Sequence, residues 1–78
     1  MDLTQALQWI AEIFEEPAEN ITLDTNREDI KGWDSLGVLT LMAALDEGFG
    51  IQLSEDELLE MRTVKDILEL FRRHGHLQ

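Results

Sequence analysis

The sequence contains no cysteine and a single proline, and only 6 of its 78 residues are lysine or arginine. The lack of cysteine excludes a disulfide framework and a thiolate metal site. It also denies the chain a thiol nucleophile, so any thioester chemistry would have to use a borrowed sulfur. The shortage of bases, set against 17 acids, leaves a net charge of −11. That charge argues against nucleic acid and against an anionic membrane surface as partners. It suits basic protein surfaces reached by electrostatic steering, and it equally suits simple solubility. No apolar run approaches the ~20 residues of a membrane span, and no basic segment followed by a long apolar run opens the chain. The expectation is a soluble, cytoplasmic, monomeric protein.

The apolar residues, 44% of the chain, are enough for a core and too many for a disordered segment. Residues 1–78 are expected to form one small domain, held by a margin of roughly 3–5 kcal/mol. The charge is unevenly spread. From Gly32 to Met61 there are seven acids (Asp34, Asp46, Glu47, Glu55, Asp56, Glu57 and Glu60) and no lysine or arginine.

Helical spacing of Leu3, Leu7, Ile10 and Phe14 predicts a first amphipathic helix, with Asp2 as its N-cap and Glu15, Glu16 and Pro17 at its close. From Ala18 to Trp33 the period lapses among turn formers such as Asn20, Asp24, Asn26 and Gly32. About 16 residues is long for a loop in a small domain, and such loops are often functional. A short helical turn is compatible with it, and Ile21, Leu23, Ile30 and Trp33 are placed to pin it to the core.

A second helix is expected from about Ser35 to Glu47. Val38, Leu39, Leu41, Met42 and Leu45 cover most of its circumference, which places it centrally. Its remaining arc, Leu36, Gly37, Thr40, Ala43, Ala44 and Glu47, reads as a small and nearly uncharged face. "GFGIQLS" follows as a loop. The capping-box pattern "SEDE" at 54–57 opens a short helix through Leu58, Leu59 and Met61. "TVKD" at 63–66 repeats the signal before Val64, Ile67, Leu68 and Phe71, spaced i, i+3, i+4 and i+7, with Gly75 as the stop. The predicted fold is all-α: a small four-helix bundle of three main helices and one short one, with a long loop between the first two.

Within this frame Ser35 is the residue of interest. A serine where a helix begins is usually its cap, but Asp34, directly before it, is at least as good a cap. If Asp34 caps, Ser35 occupies the first helical position with its hydroxyl free, where the dipole and open amides favour a phosphate. As an enzymatic nucleophile it lacks support: the only histidines, His74 and His76, lie in a tail expected to fray, and no "GxSxG" elbow is present. The H-x-H pair is too small for a metal site. A calcium loop beginning at Asp24 fails, because Asp29 stands at its sixth place and Ser35 at its twelfth.

The stretch "DSLGVLTLMAALDEGFGIQLSEDELLEMRTVKDILELF" closely resembles the phosphopantetheine-dependent acyl carrier proteins. The likeness runs from Asp-Ser-Leu through "LDEGFGI" and the short acidic helix to "TVKDI". It implies that Ser35 carries a 4′-phosphopantetheine arm, installed from coenzyme A by a magnesium-dependent phosphopantetheinyl transferase. The arm's thiol would hold acyl groups as thioesters for enzymes of fatty-acid, polyketide or a related pathway. Those acyl-loading and acyl-transferring partners would bring basic docking surfaces. By position the resemblance assigns docking to Asp34, Leu36, Thr40, Ala43, Asp46 and Glu47.

The chain departs from the fatty-acid carriers where Gly37 and Thr40 replace acids often found after Asp-Ser-Leu. That neutral stretch suggests a free-standing carrier serving a dedicated enzyme set. The glycine after "DSL" is also similar to D-alanyl and other aminoacyl carriers, which keeps an aminoacyl cargo open. From a different class, the competing reading is an unmodified acidic helical adaptor.

Overall fold

A computed structural model describes residues 1–77. Asp2 opens helix α1, Leu3–Ile13, through a capping box: its carboxylate accepts the Gln5 amide while the Gln5 side chain accepts the Asp2 amide. The helix closes through Phe14. Glu15 takes a left-handed conformation (φ 54°), and the Glu16 amide reaches back to the Ala11 carbonyl at 2.9 Å. A non-glycine residue in that region costs about 1–2 kcal/mol.

The long connection contains two single 3₁₀ turns, Ala18–Asn20 and Arg27–Asp29. Ile21, Ile30 and Trp33 pin it to the core as expected, whereas Leu23 does not and is 41% exposed. The loop is also tied to the far end of the chain. Asn26 and Thr63 form an isolated antiparallel bridge, with the Arg27 amide donating to the Arg62 carbonyl at 2.7 Å and the Val64 amide to the Thr25 carbonyl at 3.1 Å.

Helix α2 runs Ser35–Phe49, two residues past the expected end. Gly48 is accommodated inside it, and the stop falls instead on Gly50, whose left-handed φ of 66° suits a residue without a Cβ. The two added residues carry Phe49 into an aromatic cluster, edge-on to Trp9 (5.4 Å) and to Phe71 (4.9 Å). Helix α3, Glu55–Leu59, and helix α4, Val64–Arg73, both begin with complete capping boxes, on Ser54 with Glu57 and on Thr63 with Asp66. Met61 lies beyond α3 but is buried.

The architecture is therefore all-α, with three main helices and one short one, and no strand among the described residues. Helix α2 packs against both α1 and α3. The core gathers Ala6 and Ile10, Leu41 and Leu45, Leu58, and Ile67, Leu70 and Phe71 from the four helices.

Two expectations for α2 need correction. Leu39 is 48% exposed, because Val38, Leu41 and Leu45 already fill the arc that faces the bundle. Gly37 is buried and does not belong to the outer face. The segment from His74 to His76 is not frayed either. The His76 amide closes on the Phe71 carbonyl at 2.9 Å, its carbonyl accepts the Met1 amino group at 2.8 Å, and its ring lies 5.1 Å from Phe49. No described helix is long and apolar enough to cross a membrane.

Candidate functional site at the start of helix α2

The geometry at Ser35 follows from what happens just before it. Gly32 passes so close to the end of α1 that a Cβ there would collide with the Phe14 carbonyl, and Gly37 sits so close to Gly32 that its own Cβ would collide with the Gly32 carbonyl. Three backbones are thus stacked in contact. Beside them Trp33, 4% exposed, lies flat on Phe14 with ring centroids 4.9 Å apart and planes 12° from parallel. The chain enters α2 clamped on one side by glycine contacts and on the other by an aromatic stack.

Asp34 then caps the helix. Its backbone is extended, its Oδ1 accepts the Gly37 N–H at 2.9 Å, and its carbonyl accepts the Val38 N–H at 2.9 Å. Of the first amides of α2, those of Ser35 and Leu36 are left without an intrahelical partner. Ser35 is the first helical residue and is exposed, and its hydroxyl makes no hydrogen bond among the described residues. A serine acting as cap would have spent its oxygen on a backbone amide; here the aspartate has taken that role. The clamp fixes where the hydroxyl stands, and the cap leaves it available.

A shallow cleft of about 210 Å³ adjoins the site, lined by Ile13, Phe14, Glu15, Asp34, Leu36 and Thr40 among others. The free hydroxyl, the open amides of α2 and the adjoining cleft fit a phosphodiester-linked arm: the amides suit the phosphate and the cleft gives the arm a way out. The proposed docking residues Asp34, Leu36, Thr40, Ala43, Asp46 and Glu47 are all exposed, Leu36 at 72%. The Thr40 hydroxyl turns back to the Leu36 carbonyl at 2.9 Å, which leaves its methyl as the outward chemistry. Leu39 belongs to this surface as well. A reading that counts apolar residues as core misses it, and only the position of the true core arc separates it from Leu41.

No side chain among the described residues is hydrogen-bonded to the Ser35 hydroxyl, and the adjacent Asp34 carboxylate is engaged with the Gly37 amide. Among the described residues no three histidine, cysteine or acidic side chains gather as a metal site.

Comparison with known proteins agrees with this arrangement. The family model for the phosphopantetheine attachment site matches residues 5–71. The acyl carrier protein of Phytoplasma mali is 31% identical over 67 residues, covering 86% of this chain and 80% of that protein. The acyl carrier protein of Syntrophobacter fumaroxidans is 38% identical over 56 residues, covering 72% and 69%. That of Thermobifida fusca is 27% identical over 73 residues, covering 88% and 92%.

Proposed function

The chain belongs to the phosphopantetheine-bearing acyl carrier proteins, which are carriers and not catalysts, and from that premise we propose that Ser35 is its attachment residue. The observation that carries the proposal is the division of labour at α2: Asp34 Oδ1 caps the helix and the Ser35 hydroxyl is exposed and unbonded. Attachment forms a bond from Ser35 Oγ to phosphorus as the pyrophosphate linkage of coenzyme A breaks. The nucleotide part leaves, and the hydroxyl proton passes to a base on the transferase, since no described side chain of this chain is hydrogen-bonded to it. The bound arm supplies the thiol that the sequence lacks.

The protein then holds acyl groups as thioesters within one carrier domain and presents them to loading and transferring enzymes. We assign their docking to the exposed face from Asp34 through Leu36, Thr40 and Ala43 to Asp46 and Glu47. Beyond Asp34 that face is neutral from Leu36 to Ala43 and acidic again at its far end, which supports service to a dedicated enzyme set over ordinary fatty-acid enzymes. The glycine shared with aminoacyl carriers lends no weight to an aminoacyl cargo, because Gly37 has a packing reason of its own under the Gly32 carbonyl.

The test is intact-protein mass after incubation with coenzyme A, magnesium and a broad-specificity transferase, with Ser35→Ala in parallel. One phosphopantetheine on the native chain and none on Ser35→Ala is the expected result. No gain on the folded native chain with two different transferases would return the reading to an unmodified adaptor.

A further inference from the structure

The acid-only segment from Gly32 to Met61 is bracketed by bases, with Arg27 and Lys31 before it and Arg62 just after. The Asn26–Thr63 bridge closes that segment like a drawstring, and the three bases come to line one groove of about 800 Å³. Half of the chain's six lysines and arginines are therefore concentrated in one place on a protein of net charge −11. None of them has a carboxylate partner, since the single ion pair among the described residues is Arg72 with Glu69. Glu28 lines the groove too, but it pairs with none of the three.

The groove is partly preorganised. Arg27 donates to the Leu59 carbonyl at 3.3 Å and lies 6.0 Å above the Trp33 ring, so its guanidinium is held in position. Trp33, which also lines the groove, has the one buried side-chain polar atom of the described residues without a hydrogen-bond partner, its Nε1. An orphaned buried donor of this kind calls for an explanation. Arginine, lysine and the indole N–H all donate and none accepts, so the complementary ligand is acceptor-only: an ionised carboxylate or a phosphate.

Position chooses between these. The arm's own phosphate stays on Ser35 Oγ beside the open amides of α2, so the anion free to reach the groove is one farther along the arm. Trp33 and Lys31 stand two and four residues before Ser35, so their Cα atoms lie within about 7 and 14 Å of it by chain length alone. Anything borne on Ser35 is held near the groove at an effective concentration in the mM range, which lets even a weak site fill. A free anion has no such advantage and must also approach through the acidic field of the whole protein.

Resting on the assignment of the arm to Ser35, we propose that the groove of Arg27, Lys31, Arg62 and Trp33 receives the terminal carboxylate of a dicarboxylic acyl group. The cargo class is then an acyl chain with a free acid at its far end. The cations hold that acid and the Trp33 ring and Leu59 flank the chain, so the carrier discriminates among cargoes by their distal ends.

The experiment loads ¹⁵N-labelled protein from glutaryl-coenzyme A or from valeryl-coenzyme A, chains of equal carbon count that end in a carboxylate or a methyl group. Intact mass verifies the arm, and the Trp33 indole N–H and the Arg27, Lys31 and Arg62 amides are read by NMR. Trp9, held in the aromatic cluster between Phe49 and Phe71, is the internal control. Glutaryl should shift the Trp33 signal and the three amides and leave Trp9 in place, and valeryl should not. The combined change Lys31→Gln and Arg62→Gln, at two exposed residues, should cut the glutaryl-specific shift several-fold.

Coincident spectra for the two loaded forms would overturn the groove assignment and leave Ser35 as attachment point intact. A folded protein that takes no arm would overturn both. Shifts produced by inorganic phosphate in a protein indifferent to tethered glutaryl would assign the groove to a phosphate and end the cargo reading.

Discussion

The carbonyl oxygen of Gly32 occupies the space that a Cβ on Gly37 would need. The contact is between backbones, so neither partner can swing aside, and the position is closed to every residue except glycine. Alanine normally stabilises a helix by about 1 kcal/mol relative to glycine. Gly37→Ala should reverse that sign and destabilise by ~1–3 kcal/mol through overpacking, a large part of so small a domain's margin. Gly48, in the same helix with nothing within 4 Å of its Cβ position, is the matched control. Gly48→Ala should gain about 1 kcal/mol. Urea denaturation followed by circular dichroism compares the two; a stable Gly37→Ala protein would mean that the glycine stack relaxes at little cost.

Asp34 has two roles that one pair of substitutions separates. Asparagine caps a helix about as well as aspartate, whereas alanine forfeits roughly 1 kcal/mol. Asp34→Asn should therefore keep native stability and lose only the charge beside Ser35, while Asp34→Ala loses both. If the transferase reads that charge, both variants take the arm several-fold more slowly at low salt, and the deficit shrinks as salt rises. Normal modification of Asp34→Asn together with slow modification of Asp34→Ala would reduce Asp34 to its capping role.

Much of the fold was legible in the sequence because its helix signals are local. Capping boxes at Ser54 and Thr63, the run Val64, Ile67, Leu68 and Phe71, and the stop at Gly75 are each fixed by residues a few positions apart. The cap by Asp34 and the exposed serine after it were legible for the same reason. What was not legible depends on partners distant in sequence. Gly48 looks like a helix stop until Phe49 is seen to be needed by Trp9 and Phe71. Gly37 looks like part of a smooth outer face until Gly32 is placed beneath it. Leu39 and Leu41 are alike as letters, and packing alone makes one a surface residue and the other core. The basic groove was hidden for the same reason, since Arg27 and Arg62 meet only through the Asn26–Thr63 bridge.

The stack of Trp33 on Phe14 joins the long loop to α1 and sets the entry to α2. Truncating a buried aromatic of this size costs about 3–5 kcal/mol, comparable to the stability of the whole domain. Trp33→Ala should therefore be largely unfolded at room temperature. Trp33→Phe keeps a stacking ring and discards the orphaned N–H, so it should fold and lose less than Trp33→Ala. Thermal melts of the two variants provide the check. Equal losses would show that a smaller stacked ring is no substitute and that the site requires the indole itself.

The neutral half of the docking face gives the most direct test of which enzymes the carrier serves. Two positions where fatty-acid carriers often have acids, 37 and 40, carry none in this chain. Position 37 cannot be given one, because Gly37 is buried against a carbonyl. Position 40 can: Thr40 is exposed on the outside of α2, and its hydroxyl bonds only to its own helix at Leu36. Glutamate is a better helix former than threonine, so Thr40→Glu should leave stability within about 0.5 kcal/mol. If a missing acid keeps ordinary fatty-acid enzymes away, Thr40→Glu should raise their kcat/KM for the loaded carrier several-fold at low salt. The gain should fade as salt screens the new charge, because a rim charge acts chiefly on the encounter. An unchanged kcat/KM at low salt would place the selectivity in the apolar pair Leu36 and Leu39, whose exposure no charge substitution alters.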